Sequence, residues 1–164
     1  MSDNNTLEIW SKLELAKDFR TIVPQIERNL ADIADGKNII ATETPMNEGS
    51  ALAPIEHFFM DGVYIREMSM IKDTLYFGAI HKQLHMCFLL EGRVSAASEH
   101  GVVEYTAPCY FVSTPGVKRV VYAYEDSKWY NIHKNPSNTK DLKELEKQTV
   151  VMSYEEYEEY IKNK

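Results

Sequence analysis

At 164 residues the chain is long enough for one domain with extensions and a real hydrophobic core. Its net charge of −7 excludes a general affinity for duplex nucleic acid, which needs a basic face. No stretch approaches the roughly 18 apolar residues that span a bilayer, and the polar N-terminus carries no signal-peptide pattern, so a cytoplasmic protein without a membrane partner is expected.

From Thr6 to about Ala34 the apolar period is helical, through Leu7, Trp10, Leu13, Phe19, Ile22, Ile26, Leu30 and Ile33. Pro24 is expected to open a second helix and Gly36 to end it. Such a stripe is either core or a dimer face. Residues 37–54, rich in Thr, Pro, Asn, Gly and Ser, read as a linker or covering loop.

Then the period changes to two. Glu56–Met60, Val63–Met70, Leu75–Ile80, Met86–Leu90, Arg93–Ala97, Val102–Thr106, Tyr110–Ser113, Arg119–Ala123 and Lys128–His133 read as strands, separated by turn signals such as Asp61-Gly62 and Pro115-Gly116. Many short strands at this spacing predict a sandwich or closed barrel over 55–135. No helix-length segment interrupts them, which excludes a parallel α/β fold. Cys87 and Cys109 lie in apolar stretches and read as reduced, packed thiols. After Pro136 helical signals return over 136–164. Ser137 or Asn138 is expected to cap Asp141–Lys147, and Ser153-Tyr-Glu-Glu156 is a capping box for a last helix. Its tyrosines, Tyr154, Tyr157 and Tyr160, are expected to dock on the barrel.

Two stretches carry the chemistry: His81-Lys-Gln-Leu-His85 leading into Glu91-Gly92, and Thr114-Pro-Gly-Val-Lys118-Arg119-Val120. Strand residues four apart share a face, so His81 and His85 both point to one side. Arg119 cannot ligate metal and grips carboxylate or phosphate bidentately. With Lys118 beside it, the turn suggests an anion pocket. Lys118 and Arg119 point in opposite directions, so one of them is expected to face solvent. Tyr64, Arg66 and Met68 alternate along one strand, and one face of that strand lines the pocket mouth on this reading. His57 and His100 sit beside turns and read as surface residues. Trp129 and Tyr122 fit either core or a stacking role.

These stretches resemble the cupin superfamily, the RmlC-like jelly rolls, over roughly residues 60–133. The resemblance implies a mainly β double-stranded β-helix, here with helices added at both ends. Counted back from Gly92, His85 falls where cupins place the motif glutamate and His81 at the second motif histidine. The first motif histidine is missing near Ala79, and Arg119 stands at the last metal-binding histidine. His133 is a replacement ligand. The implied metal set is therefore His81, His85 and His133, and the cofactor is either none or a divalent metal. The segment order also resembles small cupin-like proteins encoded by bacteriophages, which implies a host cytoplasm and a role in sequestering a host defence signal.

Three functions are open at this point. The first is a binding module for a small anionic or nucleotide-like molecule held by His81, His85, Arg119, His133, Lys118, Tyr64 and Arg66. The second is a cupin-type enzyme, either metal-dependent or a histidine acid–base epimerase or isomerase on a phosphorylated substrate. The third is a partner-binding role in which the N-terminal helices drive a homo-oligomer, a dimer or higher.

Overall fold

The alternation of side chains from Ile55 onward dictates strands, and the protein, described here by a computed structural model over residues 4–14, 18–30, 38–42 and 49–164, folds them into two stacked sheets. Strands β2 (Ile55–Met60), β3 (Val63–Met70), β6 (His85–Glu91), β9 (Cys109–Ser113) and β11 (Ser127–Lys134) form one sheet, in the order β2-β3-β11-β6-β9. Strands β1 (Ile39–Ile40), β4 (Leu75–Phe77), β7 (Arg93–Ser98), β8 (Gly101–Thr106) and β10 (Val120–Ala123) form the other, in the order β1-β4-β10-β7-β8. Only β1–β4 is parallel among these pairings. The chain crosses repeatedly between sheets, which makes a jelly-roll barrel. The mainly β jelly-roll architecture with added terminal helices is as expected.

The space between the sheets is filled by Met68, Met70, Leu89, Val94, Val121 and Trp129. A second core lies outside the β4-β10-β7 surface. There the helices α1 (Asn4–Glu14) and α2 (Phe19–Arg28) press Trp10, Leu13, Phe19 and Val23 onto Leu75, Phe77, Val120 and Tyr122. Full burial of each such side chain contributes about 1.5–3 kcal/mol. Most of the described part of the N-terminal stripe is thus core against the chain's own barrel, while Leu7 is exposed.

Three local expectations need correction. Asp18, not Pro24, opens α2: its carboxylate accepts from the Thr21 amide at 3.3 Å and from the Thr21 hydroxyl at 2.7 Å. Pro24 lies inside the helix, tolerated because Val23 before it is fully buried and tertiary packing overrides propensity. The expected strand Leu75–Ile80 is broken at Gly78, whose amide donates to the Arg119 carbonyl at 2.9 Å. A side chain at Gly78 would stand 3.0 Å from that oxygen. The chain then leaves the sheet as β5 (Ile80–His81) and pairs with β12 (Val150–Val151). Finally, Asp141 caps α3 (Leu142–Thr149), accepting from the Lys143 and Glu144 amides at 2.9 and 3.2 Å. Asn138 instead bonds the β2–β3 turn through the Gly62 amide and Asp61.

The last helix, α4 (Tyr154–Lys162), follows its capping box. Ser153 accepts from the Glu156 amide, and Glu156 accepts from the Met152 amide. Tyr154 is buried and the Tyr157 ring lies against Gly116. Gly36, Ile33 and part of the expected 37–54 linker lie outside the described residues; Ile39–Ile40 of that linker is a strand. Cys87 and Cys109 are free thiols. No helix among the described residues is long and apolar enough to cross a membrane.

Candidate metal and anion site

The inner face of the β2-β3-β11-β6-β9 sheet is graded along its strands. One cross-strand row carries Met68, Trp129 and Leu89, the next Arg66, Asn131 and Cys87. Beyond them Tyr64 pairs with His133 and His85 pairs with Ser113. The polar end of the barrel is therefore set by register alone. His81 joins from β5, its backbone clasped on both sides. The Gly116 amide donates to its carbonyl at 3.0 Å, and Val150 of β12 is its ladder partner. The C-terminal segment is thus part of the site wall.

The three histidines converge. Ring centroids lie 4.1 Å apart for His81–His85, 4.6 Å for His85–His133 and 5.1 Å for His81–His133. One nitrogen from each lies within 4.8 Å of the others, and all three residues are buried. Burial, followed by the neighbouring histidines and by Arg66 and Arg119, holds His81 well below the usual imidazole range. Burial first, with Arg119 and Arg66 behind it, depresses His85 to about 4. Burial, His85 and Arg66 take His133 down to about 2. All three are neutral at pH 7, the form that ligates a metal.

The tautomer of His85 fits that role. His85 Nδ1 lies 3.1 Å from the Gln83 carbonyl and must donate to it, which leaves Nε2 as a lone pair. His81 Nδ1 is buried without a hydrogen-bond partner. An orphaned buried nitrogen costs about 1–3 kcal/mol unless something meets it. Unprotonated, it would offer a divalent cation a lone pair, and three convergent neutral imidazoles fit a metal with three protein ligands.

The same cavity is also cationic. Arg66, Asn131, Cys87 and Arg119 line it together with His81 and His85, and its volume is about 40 Å³. The Arg119 guanidinium donates to Ser113 Oγ at 2.7 Å and lies over the Phe111 ring at 5.4 Å. Arg66 is 4% exposed and its Nε has no partner. Among the described residues, no carboxylate stands within ion-pairing distance of either guanidinium.

Of the residues singled out from sequence, His81, His85, His133, Arg66 and Arg119 come together. Tyr64 stands behind them, stacked on His133 at 6.0 Å and hydrogen-bonded to His57 Nδ1 at 2.8 Å. His57 is therefore half-buried rather than a plain surface residue, whereas His100 is exposed. Lys118 does not join the site. It is 1% exposed, paired with Glu27 at 2.8 Å, and bonded to the Thr42 hydroxyl at 3.1 Å. Neither member of the Lys118-Arg119 pair points freely to solvent. Tyr122 is core, and Trp129 is core that also lines this cavity. Sequence reasoning missed Ser113 and Asn131. Asn131 is two residues before His133 and hence on its face, a signal that was present. Its Oδ1 accepts from Trp129 Nε1 at 3.0 Å and from Cys87 Sγ at 3.2 Å.

No family model matches the chain, and no curated protein matches it significantly. Among solved structures, it is similar to an RmlC-like cupin from Shewanella frigidimarina at 13% identity, with a TM-score of 0.46 over 56% of this chain and 81% of that one. It is also similar to KdgF from Halomonas sp., at 9% identity and a TM-score of 0.45 over 51% and 80% of the two chains. An acetylacetone dioxygenase from Acinetobacter johnsonii matches at 15% identity and a TM-score of 0.43, over 50% and 59%.

Proposed function

We propose that this is a cupin-type small-molecule-binding protein that holds a divalent metal on His81, His85 and His133 and a small anion between Arg119 and Arg66. One observation carries the reading. His81 and Arg66 line one cavity and each carries a buried polar atom with no hydrogen-bond partner, Nδ1 and Nε; an unprotonated Nδ1 suits a cation and a guanidinium suits an anion. A buried charge without a counter-charge costs several kcal/mol, which a bound anion would offset. A cavity of about 40 Å³ supports a ligand of few heavy atoms, carboxylate-sized, over the nucleotide-sized molecule suggested by the sequence and its phage-protein resemblance.

A bound divalent ion would supply a Lewis-acidic centre with coordination positions left open. The chain's own residues do the rest. The neutral imidazoles present lone pairs, Ser113 fixes the Arg119 fork, and the apolar row behind Asn131 limits water. A metal-dependent enzyme at this centre is the second reading, favoured by a three-ligand set that leaves room for substrate. The acid–base alternative fits poorly, because histidines at about 4 and about 2 are far from the operating pH a general base needs.

Metal analysis of the purified protein, then thermal unfolding with acetate, oxalate or phosphate before and after metal loading, tests the proposal. The expected result is one divalent ion per chain, lost in His81→Ala, and stabilisation by an anion that disappears in Arg119→Met. Absence of both metal uptake and anion stabilisation would sink it. Turnover of a bound carboxylate would move the protein to the second reading.

A further inference from the structure

Asn131 is 4% exposed and sits in the polar row that crosses the inner face, with Arg66 beside it on β3 and Cys87 on β6. Its side-chain amide has only one orientation open to it. The Trp129 indole Nε1 can only donate, and it meets the amide at 3.0 Å, so the atom it meets is the oxygen. Cys87 Sγ donates to the same atom at 3.2 Å. The effect of the amide on His85 is to favour the charged ring, which is an oxygen's effect and falls to Oδ1 as well. Both lone pairs of Oδ1 are thus engaged, and Nδ2 is fixed on the opposite corner of the amide.

Among the described residues Nδ2 makes no hydrogen bond, although Asn131 lines the cavity together with Arg66 and Arg119. Buried donors are ordinarily met by an acceptor. The remaining wall is of another kind. Met68, Val117, Val121 and Trp129 line it, no carboxylate does, and the volume is about 40 Å³. Met68 and Trp129 occupy the row next to Arg66 and Asn131 on the sheet, so the cavity grades from N–H donors to apolar side chains.

We infer that Asn131 Nδ2 is the third donor of the anion site, beside the guanidiniums of Arg66 and Arg119, and that this lining selects a short unsubstituted monocarboxylate. This choice of ligand rests on the anion reading proposed above. The volume admits only a few heavy atoms. A carboxylate carries both oxygens at one end, where their lone pairs face the donors. Its hydrogen or small alkyl group lies at the other end, against the apolar row. Phosphate bears oxygens on every side, and oxalate bears them at both ends. Either would press ionised oxygen on Met68 and Trp129 without a donor, and that desolvation is penalised. Two guanidiniums by themselves favour the more highly charged anion. A preference for acetate over both is therefore the reverse of the order that charge alone sets.

Calorimetric titration of the full chain, freed of metal by a chelator, with acetate, oxalate and phosphate at matched ionic strength and neutral pH tests the selection. Acetate is expected to bind about tenfold more tightly than either of the others. Oxalate or phosphate binding as tightly as acetate overturns the inference. The part played by Asn131 is read from its side-chain amide resonances in a nitrogen-labelled sample. They are identified by their loss in Asn131→Asp, which keeps an oxygen for Trp129 and Cys87, or by through-bond assignment should that variant not fold. These resonances are expected to shift as acetate saturates the unaltered protein. Resonances that stay in place while acetate binds overturn the assignment of Nδ2 and leave the anion site standing. Absence of binding by all three anions removes the anion site and this inference together.

Discussion

Lys118 and Arg119 are neighbours in sequence and opposites in the structure. Both leave the Pro115-Gly116 turn at a β-strand entrance, so their side chains point to opposite sides of the same sheet. Lys118 points under the helices and meets Glu27 at 2.8 Å, the Thr42 hydroxyl and the Met152 carbonyl. Its charge is matched, and it ties α2, the β1 segment and the C-terminal segment to the barrel. Arg119 points between the sheets and meets a hydroxyl and an aromatic ring, with Arg66 in the same cavity. One cation is a completed structural joint. The other has no carboxylate within ion-pairing distance among the described residues, and the proposed anion site rests on that difference.

The broadest way to break the comparison is pH. His85 and His133 are depressed by burial and, behind it, by charged neighbours including Arg66. Below the unfolded imidazole pKa of about 6.5 the unfolded chain takes up protons that the fold refuses, so stability rises with pH and is lost on acidification. For His85 the loss runs from about 6.5 down to its folded value of about 4. By pH 5 each of these two histidines costs the metal-free fold about 2 kcal/mol. Denaturant unfolding of the apoprotein from pH 7.5 to 5 reads the slope. It should flatten in His85→Gln, and an unchanged slope there would show that the cluster is not the cause.

The second test takes the matched cation. Removing Lys118 leaves Glu27 partly buried without its counter-charge, and breaking such a pair costs about 3–5 kcal/mol. Lys118→Ala should lower the midpoint of thermal unfolding by on the order of 10 °C for a chain of this size. Anion binding by whatever fraction remains folded should be unchanged. A loss of affinity larger than the loss of stability would mean that Lys118 acts on the ligand after all.

Arg119→Met should do the reverse. Replacing a half-buried guanidinium that has no carboxylate partner by an apolar chain of similar length changes the stability of the metal-free protein little, the lost Ser113 bond offsetting the charge removed. Losing a charge-assisted hydrogen bond to the ligand is worth about 1.5–3 kcal/mol, or tenfold to a hundredfold in affinity. Calorimetric titration with the anion and unfolding of the free protein separate the two effects. A variant that is destabilised in the free state and binds the anion as before would erase the contrast between the two cations.

How far all this was legible depended on the range of the interaction. The barrel, the shared face of His81 and His85, and the inward register of Arg119 follow from alternation over neighbouring residues. The Ser153 box is likewise local, and it was found. Lys118 was misplaced because its partner Glu27 lies on a helix ninety-one positions away by numbering, and alternation says which side a residue faces but not what covers that side. Pro24 was misplaced because a buried Val23 outweighs the local bias of a proline against helix in the residue before it. The break at Gly78 depends on the close approach of the Arg119 carbonyl, another contact between distant segments. Of the two missed members of the site, Asn131 shares the face of His133 by alternation, and what was lacking was a reason to look at a neutral residue; Ser113 is marked only by its contact with Arg119.

Ser113 offers the smallest and most discriminating change. It is fully buried, and its hydroxyl accepts the 2.7 Å bond from Arg119 Nη1, a bond that fixes the direction of the guanidinium fork. Ser113→Ala removes that acceptor and leaves the Arg119 charge in place. Because the fork retains its remaining donors for the anion, affinity should fall only by a few-fold, about the 1 kcal/mol of an ordinary hydrogen bond. A positioning role makes a further demand: the loss must vanish when Arg119 is already gone, so that Ser113→Ala added to Arg119→Met changes affinity no further. If instead the two losses add, Ser113 meets the ligand directly, and the cavity holds one more polar contact than the pair of guanidiniums and the three imidazoles provide.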